Sequence, residues 1–487
     1  MNRDLRDKVQ AKVFDIKYGE AELFWYEVEK IKNGRPTTEY IVEPTKLKQF
    51  IVNSGFRLHE DKLVYLKNNI VEITTPEKIY KFCYNYISQF QETNIESAFI
   101  KQGTSYLIKN KGIVTLLPEL GIPLVRDSIN ISYKFYKNGI VKIELNKPLE
   151  LIEYKDAPGF VWKDSIQKRN IHLHIASKKL GDKAMFEKFI ENLSNDSNHF
   201  NSICSALGYA IHTFKDARKP ICLIFNDEVQ TDTSKPQGGT GKGLIVKGIS
   251  EIVGKAAYNG KNSDFTNNKF AFQHVCDSTG IILIDDAPRN FAFESLFSVL
   301  SDDLPVEVKH QPVRIVPFKN SPKFVITTNY TIKGDSPSYK RRRFDIFLRN
   351  HYSDTFQPND EFDCEFFHGW DEEEWNLFDH FMFECLKTYL DQGLIPYNSE
   401  SLRLKMLCNE TSVDFYELME EHFNHLEVKM LYQTVRNKLI KEYGSDYKYI
   451  DNNKNLIIDW ISRYAEFKGY QIAKKRANKG NTFIFSK

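Results

Sequence analysis

The run Ile221-Cys222-Leu223-Ile224-Phe225, the loop Gln237-Gly238-Gly239-Thr240-Gly241-Lys242-Gly243 and the helically spaced Leu244, Ile245, Val246 and Ile249, stopped by Gly254, read together as strand, glycine-rich turn and helix. Glycines let backbone N–H groups turn inward around a phosphate, and a helix N-terminus adds partial positive charge. Gly238, Gly239, Thr240, Gly241, Lys242 and Gly243 are therefore the candidate nucleotide-binding residues, with Lys242 able to reach the outer phosphates. The pattern G-x-x-x-x-G-K-[ST] is met with two departures. Pro236 stands at its first position, and Gly243 stands where a magnesium-binding hydroxyl is usual. Taken alone, the loop also reads as a flexible turn carrying a solvated lysine.

About forty residues beyond Lys242 comes Gly280-Ile281-Ile282-Leu283-Ile284-Asp285-Asp286-Ala287, an apolar strand that ends in two carboxylates. Buried parallel strands read as continuous apolar runs, and ligands gather at their carboxyl ends. Asp285 is expected to hold Mg2+, directly or through water, and Asp286 to polarise an attacking water. A simple strand-end turn is the alternative. Pro322-Lys323-Phe324-Val325-Ile326-Thr327-Thr328-Asn329 repeats the design with a terminal amide, which makes Asn329 a candidate for orienting water or sensing the γ-phosphate. Next comes Ser338-Tyr339-Lys340-Arg341-Arg342-Arg343-Phe344, in which Arg341 and Arg342 are candidate fingers acting on a neighbouring subunit's nucleotide. The same run also reads as a phosphate-contact patch. Between the two strands, alternating runs meet at Lys309-His310-Gln311-Pro312 as a hairpin with a basic tip.

With 487 residues the chain has room for roughly three domains. Lys plus Arg (67) nearly balance Asp plus Glu (65), so nucleic-acid contact must come from local patches or from several copies around one strand. The cysteines Cys83, Cys204, Cys222, Cys276, Cys364, Cys385 and Cys408 form no C-x-x-C pair and read as reduced core residues, which argues against a zinc site. The charged first residues are not a signal peptide, and no apolar stretch is long enough to span a bilayer, so a soluble, cytoplasmic protein is expected.

The sequence divides into an α+β region over 1–180, a helical collar over 181–216, an α/β nucleotide domain over 217–350, an acidic linker and helix over 351–398, and a winged-helix-like end over 399–487. The α+β region has no paired carboxylates suited to a primase centre; His59-Glu60-Asp61 comes nearest and reads as a solvated turn. The acidic stretch from Asn359 to Glu374 reads as a solvated face. In the last part, Lys474-Lys475-Arg476 and Lys479 lie on a hairpin that is either phosphate-binding or simply exposed.

The P-loop variant, Asp285-Asp286, Asn329 and the arginines, in that order and at that compact spacing, resemble the superfamily 3 helicases of the AAA+ class, in particular the phage and poxvirus type with a primase or accessory region ahead of the motor. The resemblance covers about Lys219 to Asn350 well. It implies an ATP-dependent replicative DNA helicase of a phage or mobile element, using ATP and Mg2+, assembled as a homo-hexamer on single-stranded or forked DNA and travelling 3′ to 5′. It further implies that Lys309 and His310 grip single-stranded DNA in the ring's channel, with Lys261 and Lys269 as weaker DNA-facing candidates. A primase-helicase and a non-hydrolysing, ATP-binding initiator or scaffold are the alternatives.

Overall fold

The structure is a computed structural model that describes residues 23–32, 35–173, 183–228, 239–261, 268–310, 312–330, 332, 334, 336–398, 400–423, 429–444, 447, 455–477 and 480–486. The chain forms two compact units. One comprises Met1–Arg126, Tyr133–Lys142 and Leu149–Leu173, and the other Asp127–Ser132, Ile143–Pro148 and His174–Lys487.

In the second unit the apolar runs become a five-stranded parallel sheet. Its strands in chain order are β1 (Cys222–Asp227), β2 (Gly254–Asn259), β3 (Thr279–Ala287), β4 (Lys323–Thr328) and β5 (Arg343–Leu348). Their order in space is β2-β3-β4-β1-β5, with every neighbouring pair parallel. After β1 the chain leaves for the far edge at β2, works back through β3 and β4, and crosses to β5 on the other side. β1 thus sits at the switch in winding direction, and the crevice outside its carboxyl end is the usual ligand position in open α/β sheets. β1 and β4 are buried along their whole length, as strands covered on both faces must be. Ile224, Ile282, Ile284, Phe324 and Ile326 pack with Phe272, Phe293, Leu296 and Leu304 in one core.

Four helices of this unit matter for the site: α1 (Met185–Asn192), α2 (Ser197–Ile211), α3 (Lys242–Ser250) and α4 (Glu372–Gln392). α2 starts where the Asp196 carboxylate accepts the His199 N–H at 2.8 Å, a cap that satisfies one of the helix's orphan donors. Gly208 brings α2 against α4, because a Cβ there would lie 2.1 Å from the Cys385 carbonyl oxygen. α1 presses Phe186 and Phe189 onto α3: a Cβ on Gly248 would meet the Phe186 ring at 2.5 Å, and one on Gly241 the Phe189 ring at 2.8 Å. The helices of the expected collar are therefore the floor under the glycine loop.

The acidic stretch departs from the expected solvated face at two residues. Glu361 accepts from Asn192 Nδ2 at 3.0 Å and from the Tyr352 hydroxyl at 2.8 Å, and Glu374 accepts the Met185 N–H at 2.6 Å. Both tie the segment back to α1, so part of the acidic run is structural. The chain ends in helices Glu400–Glu410, Val413–His422, Tyr432–Tyr443 and Leu456–Lys468 with strands Lys429–Leu431, Gln471–Ala477 and Gly480–Ser486, the last of which is central. Phe415, Leu418, Trp460, Ile461, Tyr464, Phe483 and Phe485 form its core. Lys479 lies outside the described residues.

The first unit mixes helices with small sheets. Its aromatic centre packs Phe24 on Phe50 (ring centroids 4.8 Å apart), Phe50 on Tyr86 (4.6 Å) and Trp25 on Phe90 (5.1 Å). Glu60 and Asp61, with φ of 48° and 63°, are the two-residue turn joining strands Phe56–His59 and Lys62–Lys67. Two left-handed residues between paired strands are what a tight hairpin demands, and that accounts for this acidic pair.

Burial raises the Glu374 carboxyl to about 7 from 4.5, against the lowering effect of the Met185 N–H. A carboxyl whose folded value is raised contributes stability below its unfolded value and loses it as pH climbs through the folded one. Thermal melts from pH 5 to 8 are expected to show wild type losing stability relative to Glu374→Gln as pH rises; parallel curves would refute the assignment.

Candidate nucleotide-binding site

The loop enters α3 through two left-handed glycines, Gly239 (φ 85°) and Gly241 (φ 99°), a backbone that β-carbon-bearing residues adopt only with strain. Gly241 is the cap of α3, so the free N–H groups of that helix face the loop. Gly239 also lies close under the segment that follows β5, where a Cβ would come 3.2 Å from Asp354 Oδ1. Gly243 is different: a Cβ there meets nothing within 4 Å. The missing hydroxyl is therefore not imposed by packing. Gly238 lies outside the described residues.

Lys242 is largely buried, its side chain 12% exposed, and its ammonium donates to Asp227 Oδ1 at 2.6 Å and to Thr240 Oγ1 at 2.9 Å. Burial lowers its pKa, and Asp227, Asp286 and Asp285, in that order, act against the lowering. Asp227 alone bonds the ammonium, and the β3 carboxylates act on it at longer range. Asp227 is the last residue of β1 and is buried.

At the end of β3, Thr327 of β4 connects the two carboxylates. Its hydroxyl donates to Asp285 Oδ1 at 2.5 Å and accepts the Asp286 N–H at 2.9 Å. Asp286 is itself left-handed (φ 54°), a conformation Asp tolerates and the Thr327 hydroxyl fixes. The pairing register between β3 and β4 shifts here. Gly260, just past β2, must lie flat against it, because a Cβ would fall 2.7 Å from the Ala287 Cα. Lys261 pairs with Asp286, both side chains about half exposed. Among the sequence candidates for DNA contact, Lys261 therefore sits at the carboxylates, whereas Lys269 is exposed.

Asn329 directly follows β4 and is half-buried. The amide that bonds across the strand ends is Asn226 on β1, which donates to the Tyr330 carbonyl at 2.9 Å. The two arginines divide. Arg342 stacks on Phe297 (4.7 Å to the ring centroid) and donates to Ser301 Oγ at 3.2 Å and to the Ser338 carbonyl at 3.3 Å. Arg341 is exposed. The strands Leu304–Val306 and Arg314–Val316 pair antiparallel, with Lys309 and His310 exposed at the connection and His310 left-handed at φ 64°. Arg314 anchors the base of that hairpin through Asp277 and the Val275 carbonyl.

Asp227 and Thr327 were not singled out in the sequence. Asp227 carries the same signature as Asp285, a carboxylate closing an apolar run, and Thr327 precedes the amide that drew attention. Around Lys242 the donors are carboxylate and hydroxyl oxygens, the hard ligands Mg2+ prefers, so the residues fit that ion.

Residues 234–343 match a family model described as a family of unknown function (DUF5906). No curated protein matches the chain. Among solved structures it is similar to the NrS-1 C-terminal region, with TM-score 0.39 and 13% identity over 90% of this chain and 98% of that one. It is also similar to JCV helicase (TM-score 0.26, 14% identity, 49% of this chain and 63% of that one) and to a Thermotoga maritima RuvB mutant (0.23, 13%, 63% and 96%). At scores this low the likeness carries nothing about mechanism, which rests on the residues themselves.

Two outcomes follow without any assumption about activity. Thr327→Val removes the acceptor of a partly buried N–H and should cost about 1–3 kcal/mol in denaturant unfolding, whereas Gly243→Ser should be near neutral. Lys242→Met leaves Asp227 buried without its ammonium and should cost about 3–5 kcal/mol, and adding Asp227→Leu should recover much of that. Additive losses in the double variant would show that the pair is not coupled.

Proposed function

We propose that this protein is an ATP-dependent DNA helicase of replication, working as a ring, in keeping with the superfamily 3 resemblance. One observation carries the reading: Lys242, at the start of α3, is bonded to Asp227 at the carboxyl end of β1, and Asp285, Asp286 and Thr327 are bonded together at the carboxyl ends of the neighbouring β3 and β4. That is where a triphosphate fits an α/β sheet.

In this reading Gly239, Thr240, Gly241 and the first N–H groups of α3 hold the phosphates, and the Lys242 ammonium moves from Asp227 onto the outer ones. Asp285, oriented by Thr327, and Thr240 would hold Mg2+, which when bound neutralises charge on the phosphate oxygens. Asp286 takes a hydrogen bond from the attacking water, and Asn329 orients the same water. Lys261, paired with Asp286, is assigned here to the carboxylates more than to DNA. Arg341 is free to reach a neighbouring copy's γ-phosphate, while Arg342 supports it from inside. This division favours a ring, since an exposed finger acts only across an interface, and a homo-hexamer is the expected size. Lys309 and His310 at the exposed hairpin tip contact the backbone of single-stranded DNA, which gives a sequence-tolerant grip. The C-terminal helices and three-stranded sheet fit a winged helix.

A second reading, a nucleotide-gated scaffold that does not hydrolyse, is favoured by Gly243 and by the Lys242–Asp227 pair that nucleotide must break. One assay separates the two: ATP hydrolysis with and without single-stranded DNA. Asp286→Ala is expected to cut hydrolysis about a hundredfold or more, and Lys309→Ala to remove only the DNA stimulation. Nucleotide binding with no turnover under any condition would instead establish the scaffold.

A further inference from the structure

Packing holds the C-terminal helix Val413–His422 against Tyr432–Tyr443: Phe415, Leu418 and Met419 of the first and Val435 and Leu439 of the second are buried in one cluster. Where the first helix ends, three metal-ligating side chains converge. His422 Nε2 lies 3.8 Å from Glu421 Oε2 and 3.6 Å from Glu442 Oε1, and the nitrogen and the two oxygens all fall within 4.8 Å of one another. Two donors bound to one zinc ion at about 2.1 Å in tetrahedral geometry lie about 3.4 Å apart, so the nitrogen need approach each oxygen by only a few tenths of an ångström. Among the described residues neither carboxylate pairs with a lysine or an arginine; Lys438, one turn before Glu442, lies over the Phe423 ring instead, 5.9 Å from its centroid. Whether the imidazole is neutral or protonated, the two carboxylates outweigh it in charge and repel each other until a cation sits between them. His422 is also the last residue of its helix, where free carbonyls add partial negative charge.

We propose that Glu421, His422 and Glu442 bind a zinc ion that staples the end of Val413–His422 to Tyr432–Tyr443. The imidazole nitrogen selects zinc over magnesium and calcium, which take oxygen ligands. Three protein ligands leave the fourth tetrahedral position to water. The spacing of the cysteines bears on sulfur-ligated zinc and not on this nitrogen and oxygen set. All three ligands belong to the C-terminal helices, so the staple is independent of the nucleotide site.

The test uses the full chain, stripped with EDTA and equilibrated with Zn2+ in excess Mg2+, so that sites built from oxygen alone are masked. Bound zinc is counted by atomic emission after dialysis, and affinity is read by competition with a chromophoric chelator. Wild type should retain one zinc more than His422→Ala or Glu442→Gln, and its affinity should exceed theirs about a hundredfold, since loss of an outer-shell partner alone costs about ten- to a hundredfold. His422 and Glu442 are both partly exposed, so neither variant removes a core residue. Zinc should raise the melting temperature of wild type and of neither variant. His422→Cys keeps a ligand at the same position: loaded with Co2+, it should show a thiolate-to-metal charge-transfer band that wild type lacks, which a residue serving only as an ion-pair partner would not produce. Equal zinc retention by wild type and both variants would overturn the proposal and leave the three residues as surface ion pairs. A wild type that binds no zinc, or one whose zinc is displaced by excess Mg2+, would overturn it equally.

Discussion

A lysine ammonium buried at the mouth of a parallel sheet must have a counter-charge within hydrogen-bond reach, and much of the second unit is arranged around that need. β1 delivers Asp227 to Lys242, α3 carries the lysine, and the left-handed glycines ahead of α3 turn the loop so that the two meet. Two phenylalanines of α1 lie against α3, where no side chain on Gly241 or Gly248 could intrude. The cation is held by packing on one side and by the Asp227 carboxylate on the other. A flexible glycine turn with a solvated lysine, the simpler sequence reading of the same residues, has neither.

The carboxylate pair on β3 follows the same economy. Asp285 and Asp286 are adjacent in sequence and would point to opposite faces in a regular strand. The left-handed φ of Asp286 and the register shift beside it break that alternation, and the Thr327 hydroxyl holds the result from the neighbouring strand. The glycine at 260 completes it by letting β2's end lie against the distortion.

What could be read from the sequence follows the same physics. β1, β3 and β4 announce themselves because fully buried parallel strands are continuous apolar runs closed by a polar residue. β2, Gly254–Asn259, does not, since it is an edge strand with mostly exposed side chains. Among the candidate site residues, those inside a local pattern could be picked out from sequence: the glycine loop with Lys242, Asp285-Asp286, and the basic hairpin tip. Asp227 and Thr327 were not, because their importance depends on which strands become neighbours, and sequence does not order strands in space. Glu374 misled for a related reason. Its partner is the backbone of a residue 189 positions away, so its acidic neighbours made it look solvated.

Arg342 has a mechanical consequence. Its guanidinium lies on Phe297 and bonds Ser301, the two ends of a short helix, Phe297–Ser301, that stops three residues before the hairpin strand Leu304–Val306. Arg342 and the base of the hairpin are thus linked through one short helix, with the arginine seated on an aromatic ring. Under the proposed reading, a tug on Arg341 by a neighbouring copy's nucleotide has a short path to Lys309 and His310, through Ser301 and the strand Leu304–Val306. Under the same reading, leucine in place of Phe297 would take away the ring that seats Arg342 and loosen that link.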